Sequence, residues 1–491
     1  MKKQTDSSSD ASVATGDMMA EDFRKHGYQV IDWIADYLSH PERYPVLSQV
    51  SPGEIKQSLP QSAPREGEAM NEILSDFDRF IMPGVTHWNH PAFFAYISVT
   101  SSYPGILGEM LSATLNVNAM LWRTSPSATE LEEVTLKWLQ RMMALPDEFS
   151  GVVYDTASIS TLCAIAAARE AVTEINVRED GLFGAPQPLR LYTSEHAHSS
   201  VEKGAITLGL GQKSVRLIPS DDDFKMDVAL LERAIAEDRR AGYRPFCVVP
   251  TTGTTSTGGV DPVSAVADVC EREKLWLHVD AAYGGSVAIV PEMRNLFAGW
   301  ERADSIVVNP HKWFFVPIDL SVLFCRRMDM LRQAFSLVPE FLRTTDTDDV
   351  KNFMDYGPQL GRRFRAIKLW FVLRYFGVEG IAARIRGHLE LAREFARWVE
   401  EDQNFELLAP VTFGIVCFRV KPAGVNDENR IDSLNAQLME MVNRTGKIYI
   451  SHTKLKGKYT LRLVVGNLRT TGEHVRLAWD EIRSALEKLS K

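Results

Sequence analysis

Five short apolar runs constrain this chain most: residues 151–154, 189–193, 246–250, 275–279 and 305–308. Each is β-prone, unpunctuated and followed by small or polar residues, and helical stretches separate them. Continuous apolar strands alternating with helices imply a mostly parallel sheet buried on both faces. The Ala-rich segment 161–172 suits a helix packed closely on such a sheet. The expected class is α/β.

The flanks read differently. Phe23, Val30, Ile31, Ile34, Tyr37 and Leu38 recur at helical spacing, and 66–82 looks helical up to Pro83-Gly84. Residues 1–18 are polar and Ser-rich and are expected to be a disordered tail. They lack the apolar core of an export signal. Beyond a helix near 366–375, the pattern turns to amphipathic helix over 381–401. Strands are expected at 405–408, 414–420, 448–452 and 459–465, and a closing helix at 473–489. The expected organisation is an N-terminal helical dimerisation element (19–100), a large domain (101–376) and a small α+β domain (377–491).

Ligands in open parallel sheets sit at the carboxyl ends of strands. Those positions hold Asp155-Thr156-Ala157-Ser158, Glu195-His196-Ala197-His198, Thr251-Thr252-Gly253, Asp280-Ala281-Ala282-Tyr283 and Asn309-Pro310-His311-Lys312-Trp313. A carboxylate ending a buried strand is costly unless a positive charge meets it. A lysine there escapes the same cost by forming a Schiff base. The two needs match pyridoxal phosphate: lysine for its aldehyde, aspartate for its protonated ring nitrogen. Small residues and hydroxyls opening a helix suit its phosphate. Taken singly, such an Asp is more often a helix cap and such a Lys a solvated one; the conjunction carries the reading.

Other chemistries fit less well. With 55 Lys plus Arg against 64 Asp plus Glu, the net charge of −9 argues against a nucleic-acid or anionic-membrane partner. No run reaches the roughly 18 apolar residues of a membrane span. Gly209-Leu210-Gly211 continues to Ser214 where a dinucleotide fingerprint wants glycine, and Gly211-Gln212-Lys213-Ser214 is no P-loop. His196 and His198 lack a His-Glu-x-x-His frame, so no metal is expected. Five scattered cysteines without a Cys-x-x-Cys pair read as reduced thiols of a cytoplasmic protein.

The stretches His278-Val279-Asp280-Ala281-Ala282-Tyr283, Asn309-Pro310-His311-Lys312-Trp313 and Leu360-Gly361-Arg362-Arg363-Phe364-Arg365 resemble the group II pyridoxal-phosphate decarboxylases, in particular their aromatic L-amino acid branch. Met82 to Trp88, Phe93 to Tyr96 and Ser101 to Pro104 extend the likeness. It implies an aspartate aminotransferase-like fold (fold type I) and a homodimer with its active site at the interface. Lys312 would bind the cofactor, Asp280 would pair with the ring nitrogen, and His198 and Ala282 would flank the ring. Thr156, Ala157, Ser158, Asn309 and His311 would hold the phosphate, with Thr251 near the ring substituents. Trp88, Tyr96, Ile97, Ser98 and Gly361 would line the substrate pocket. Gly361 stands where plant relatives carry Gly when they prefer tryptophan and Ser when they prefer tyrosine. The implied reaction is decarboxylation of Trp, Phe, Tyr or dihydroxyphenylalanine to the amine.

One position departs from the family. Its mobile loop carries a tyrosine that protonates the substrate carbon. Counted without gaps from Gly361, that place is Phe353, within an acidic stretch (344–355) that reads as a lid. Phe there is associated with aromatic aldehyde synthases, which release aldehyde, ammonia and peroxide. A short deletion would instead give the role to Tyr356.

Overall fold

The computed structural model describes residues 16–337 and 350–490, which form two compact units, 1–87 and 88–491. The expected helical element therefore ends at residue 87 rather than 100. The following stretch belongs to the second unit because the Phe94 N–H donates to the Tyr449 carbonyl and the Phe94 carbonyl accepts from Val464 N–H. The expected tail up to Thr15 and the part of the expected lid up to residue 349 lie outside the described residues.

The first unit holds helices α1 (Ala20–Ser39), α2 (Glu54–Ser58) and α3 (Met70–Asp76). The expected helix 66–82 is shorter at its start and ends in a π-turn and a 3-10 turn (Phe77–Ile81, Met82–Gly84), where Pro83 stops it. Of α1 only Leu38 is buried within the chain, while Phe23 and Tyr28 stay open at 69% and 65% exposure.

The second unit opens with α4 (Tyr103–Leu115) and α5 (Pro126–Met142). The sheet region follows: β1 (Ser150–Tyr154), α6 (Ala157–Glu170), α7 (Val177–Asp180), β2 (Leu189–Ser194), α8 (Ser200–Thr207), β3 (Val215–Ile218), α9 (Val228–Arg240), β4 (Arg244–Val249), α10 (Val263–Glu273), β5 (Trp276–Asp280), β6 (Ser305–Val308), α11 (Pro310–Trp313), β7 (Ser321–Cys325) and α12 (Met328–Phe335). The remainder is α13 (Ala366–Glu401), β8 (Phe405–Leu407), β9 (Ile415–Val420), α14 (Glu428–Arg444), β10 (Ser451–Leu455), β11 (Lys458–Val464) and α15 (Gly472–Leu489).

Seven strands form one sheet in the order β1-β7-β6-β5-β4-β2-β3. Only β7 runs against its neighbours, so the other six point the same way and their carboxyl ends share one edge. Alternate residues feed two cores. Val153, Val248, Val279 and Ile306 face one, and Val152, Cys247, Trp276 and Val307 face the other. That double burial is why the strands read as unbroken apolar runs. The second sheet is antiparallel, β10-β11-β9-β8. The expected strand 448–452 starts only at Ser451, because Tyr449 bridges Phe93 instead. Helix α13 crosses the expected boundary at 376/377, bending at Gly377 (φ 66°, ψ 171°).

All five cysteines are free and buried, and burial pushes the thiols of Cys163, Cys325 and Cys417 up to about 12. Among the described residues no helix is long and apolar enough to cross a membrane.

Candidate active site

The carboxyl edge gathers the post-strand residues through backbone hydrogen bonds. Thr251, just past β4, bridges Asp280 in parallel register. Thr252 N–H donates to the Asp280 carbonyl (2.8 Å), and Asp280 N–H donates to the Pro250 carbonyl (2.9 Å). On the other side Asn309 N–H donates to the Ala282 carbonyl (3.2 Å). Gly253 (φ 90°) folds the loop after β4 onto Gly284, whose amide nitrogen would lie 2.9 Å from any Cβ placed there.

Asp280 is 4% exposed, and one carboxylate oxygen accepts Ala282 N–H at 3.1 Å. Lys312 is partly buried on the short helix α11. Burial holds its amine below the ordinary lysine range, and the Asp280 charge opposes that shift. The two act on each other without a direct ion pair among the described contacts. A depressed pKa enlarges the neutral, nucleophilic fraction of the amine.

His198 follows β2. Its Nδ1 accepts Ser200 N–H (3.2 Å) and lies 3.0 Å from the Ser200 hydroxyl. Desolvation lowers its pKa, Asp280 raises it and Lys312 lowers it, so the three residues share one electrostatic neighbourhood.

Thr156 caps α6 in extended geometry, with its N–H and hydroxyl turned to the Asp155 carboxylate at 2.5 and 3.1 Å. The N–H groups of Ala157 and Ser158 find no acceptor among the described residues, as in the first turn of any helix left for an anion. His311 is buried, and desolvation, helped by the Lys312 charge, pushes its pKa down to about 3. Its Nδ1 accepts Leu320 N–H (3.0 Å), so the neutral ring carries its proton on Nε2. Nε2 lies 3.3 Å from the Asn309 amide. Hydrogen-bond logic places the amide oxygen at that contact, leaving the Asn309 NH2 as a free donor.

The Pyridoxal-dependent decarboxylase conserved domain matches residues 52–421. The chain is 42% identical over 482 residues, 96% of this chain and 92% of the other, to tyrosine decarboxylase 3 of Petroselinum crispum. It superposes on Oryza sativa TDC, solved with PLP and tryptamine, with a TM-score of 0.93 at 36% identity, covering 97% of this chain and all of that one. It superposes on Rhodiola rosea 4-hydroxyphenylacetaldehyde synthase with a TM-score of 0.90 at 34% identity, over 96% and 100% of the two chains. The chain belongs to the pyridoxal-dependent decarboxylase family.

The cofactor of this decarboxylase is pyridoxal phosphate, with fold type I architecture. The residues present fit it. Among the described residues Thr251 Oγ1 and an atom of the Asn309 amide are buried without a partner, an expensive state unless a ligand completes them. Free helix N–H groups suit a phosphate, and Lys312 has no hydrogen-bond acceptor among the described contacts.

The expected substrate residues separate. Trp88 stacks on Phe93 (4.4 Å between centroids) and Tyr96 (5.8 Å), and the Tyr96 and Tyr449 hydroxyls lie 3.1 Å apart. Ile97 and Ser98 are buried. The Ser98 hydroxyl has no partner and lies beside Gly466, which also neighbours the Trp313 ring next to Lys312. Gly361 lies elsewhere, near Asn118, with room for a side chain.

Phe353 is packed inside its own chain. The ring is 2% exposed within the core on one face of the large sheet, and the Arg362 guanidinium covers it at 4.5 Å. Arg362 is held in turn by Glu132 (2.8 Å) and the Val153 carbonyl (2.8 Å). Phe353 is thereby held at this place in its own chain. Tyr356 lies beside it, its carbonyl accepting from the Tyr154 hydroxyl.

Two positioning residues escaped the sequence reading. Asp261 is buried and accepts N–H groups from Thr251 (2.7 Å) and Met226 (2.8 Å), fixing the loop that carries Thr251. Ser200 orients His198. Asp261 follows Gly258-Gly259-Val260, which gives no signal of burial; Ser200, two residues after His198, was within reach as a local side-chain-to-backbone motif.

Proposed function

We propose that this enzyme decarboxylates an aromatic L-amino acid to the arylalkylamine. The observation that carries the aromatic assignment is the wall formed by Trp88, Tyr96 and Tyr449 over the buried Phe93 ring, whose open faces suit an aryl ring by stacking. Pyridoxal phosphate, when bound, supplies the sink for the electron pair that the departing carboxylate leaves behind. Lys312 would hold the cofactor through its amine, and Asp280 would keep a proton on the ring nitrogen. Thr156, Ala157, Ser158, Asn309 and His311 would grip the phosphate, Thr251 would reach the ring substituents, and His198 and Ala282 would flank the ring. Carbon dioxide release from a panel of amino acids tests the reading. Trp, Phe, Tyr or dihydroxyphenylalanine should turn over, and strong activity on glutamate alone would overturn it.

A second reading has its own observation. Counted from Gly361, the family's loop tyrosine falls on Phe353, and a phenyl ring has no acidic proton to give. Without a phenol to protonate the substrate carbon, oxygen competes. The balance is then amino acid plus O2 and water to aldehyde, CO2, ammonia and hydrogen peroxide. Amine and peroxide measured together, with and without oxygen, separate the two products. Under the second reading Phe353→Tyr shifts product toward amine. If Tyr356 is the acid, the wild type makes amine and Tyr356→Phe makes aldehyde.

The working state in this reading is a cytoplasmic homodimer. The open apolar face of α1 supports the dimer and five buried thiols suit a reducing compartment. A monomeric mass in solution together with full activity would overturn the dimer.

A further inference from the structure

Lys368 on α13 has a side chain with no solvent exposure. A buried ammonium is tolerated only when its protons are all received. Here its Nζ lies 2.8 Å from the Asp319 carbonyl, 3.1 Å from the Pro317 carbonyl and 2.9 Å from a Glu109 carboxylate oxygen. Glu109 comes from α4, which approaches α13 at Gly108, where an added Cβ would sit 3.0 Å from the Lys368 Cα. Glu109 also pairs with Arg363. The Asp319 side chain is held by Arg365 Nε at 2.8 Å.

The segment so pinned follows Lys312 directly. Its carbonyls are secured at alternate residues: Phe315 by the Ser102 N–H and hydroxyl, Pro317 and Asp319 by Lys368. The next residue is Leu320. It donates its N–H to His311 Nδ1, and its carbonyl accepts the His311 N–H at 3.3 Å. Lys368 thus holds the carbonyl of the same peptide whose N–H decides which nitrogen of His311 carries a proton.

We infer that Lys368 is a positioning residue for the cofactor: by fixing residues 317–320 it holds His311 in its Nε2–H form, whose donation to the Asn309 amide oxygen leaves the Asn309 NH2 free to donate to the phosphate. This rests on the proposed phosphate role of His311. Lys368 touches no reacting atom. Its contribution passes through two backbone carbonyls and one N–H, so it is specific to the phosphate end of the ligand.

The test uses the full-length apoenzyme titrated with pyridoxal phosphate and with pyridoxal, and nitrogen NMR of the His311 ring. In Lys368→Met the dissociation constant for pyridoxal phosphate should rise roughly tenfold or more, the size of one lost hydrogen bond to a charged group. That for pyridoxal should stay unchanged, and the ring should become a mixture of tautomers. Lys368→Gln, which keeps one donor, should fall between. A folded Lys368→Met with one tautomer and unchanged phosphate preference overturns the inference, whatever its melting temperature. Wild-type His311 protonated on Nδ1 overturns it without any variant. If His311→Ala keeps the preference for pyridoxal phosphate over pyridoxal, the phosphate assignment fails and takes the inference with it. If that preference collapses in His311→Ala but survives in Lys368→Met, the assignment stands and the inference alone is lost.

Discussion

The two edges of the seven-stranded sheet treat charge in opposite ways. At the amino edge, charged residues satisfy one another. Arg244 pairs with Glu174 (3.1 Å), Arg302 with Asp268 and Glu271 (2.8 and 2.7 Å), and Asp304 accepts Leu277 N–H (2.8 Å). At the carboxyl edge, among the described residues, no ion pair joins Lys312 and Asp280, and Thr251 and Asn309 keep buried atoms without partners. The same fold elements bound both edges, so packing does not explain the difference. Groups left incomplete by the chain mark the end that works on a ligand.

If that contrast is right, substitutions at the carboxyl edge remove function while leaving or raising the stability of the apoenzyme. The largest effect is expected from Lys312→Ala: no turnover and loss of the yellow, borohydride-sensitive absorption, with an unchanged apoenzyme melting temperature. Asp280→Asn should lower kcat/KM by about 10²–10⁴-fold, the usual range for a positioned proton partner. Its apoenzyme should melt no lower than the wild type, because a buried charge has gone.

Acid should discriminate next. His278, His311 and His388 are buried and neutral, with pKa values pushed by desolvation to about 4, 3 and 4. The unfolded chain binds their protons from about pH 6.5 downward. Their contribution is complete above that pH and is lost as pH falls from about 6.5 toward 3–4. Asp261, raised to about 6 by burial, works the other way between about 6 and its unfolded value. Three groups outweigh one, so melting temperature should fall across pH 6.5 to 4 in the apoenzyme. A flat profile would contradict the burial of these rings.

The smallest effects sharpen the contrast. Thr251→Val removes an unpartnered hydroxyl and should stabilise the apoenzyme by about 1 kcal/mol while weakening cofactor binding. Arg302→Ala at the amino edge should change stability by no more than about 1 kcal/mol and activity not at all. Calorimetry and a cofactor titration read both. A larger functional loss in Arg302→Ala than in Thr251→Val would break the comparison.

Much of this edge was legible in the sequence, because each site residue directly follows a buried apolar run. What escaped lacked that marker. β7 sits inside the apolar stretch from Trp313 to Cys325, where nothing announces a strand of reversed direction. β3 is a short edge strand with Arg216 in its middle. Glu132, buried against Arg362, looks like any acid on an amphipathic helix. Its charge is met by Arg362, 230 residues away. Likewise Lys368 reads as one more cation after Arg362, Arg363 and Arg365, and only the crossing of α4 and α13 seals it from water. Local pattern reveals strands and their ends; the pairing of distant charges is decided by how helices meet.

The buried thiols have a chemical consequence. A thiol raised to about 12 is almost wholly protonated at neutral pH, and the protonated form is a poor nucleophile toward electrophiles and oxidants alike. An enzyme that generated an aldehyde and hydrogen peroxide beside its own polypeptide would find no thiolate there to alkylate or oxidise. Buried, protonated thiols would thus protect such a catalyst from the more corrosive of the two proposed product sets. Inactivation by those products would have to begin at a side chain other than cysteine.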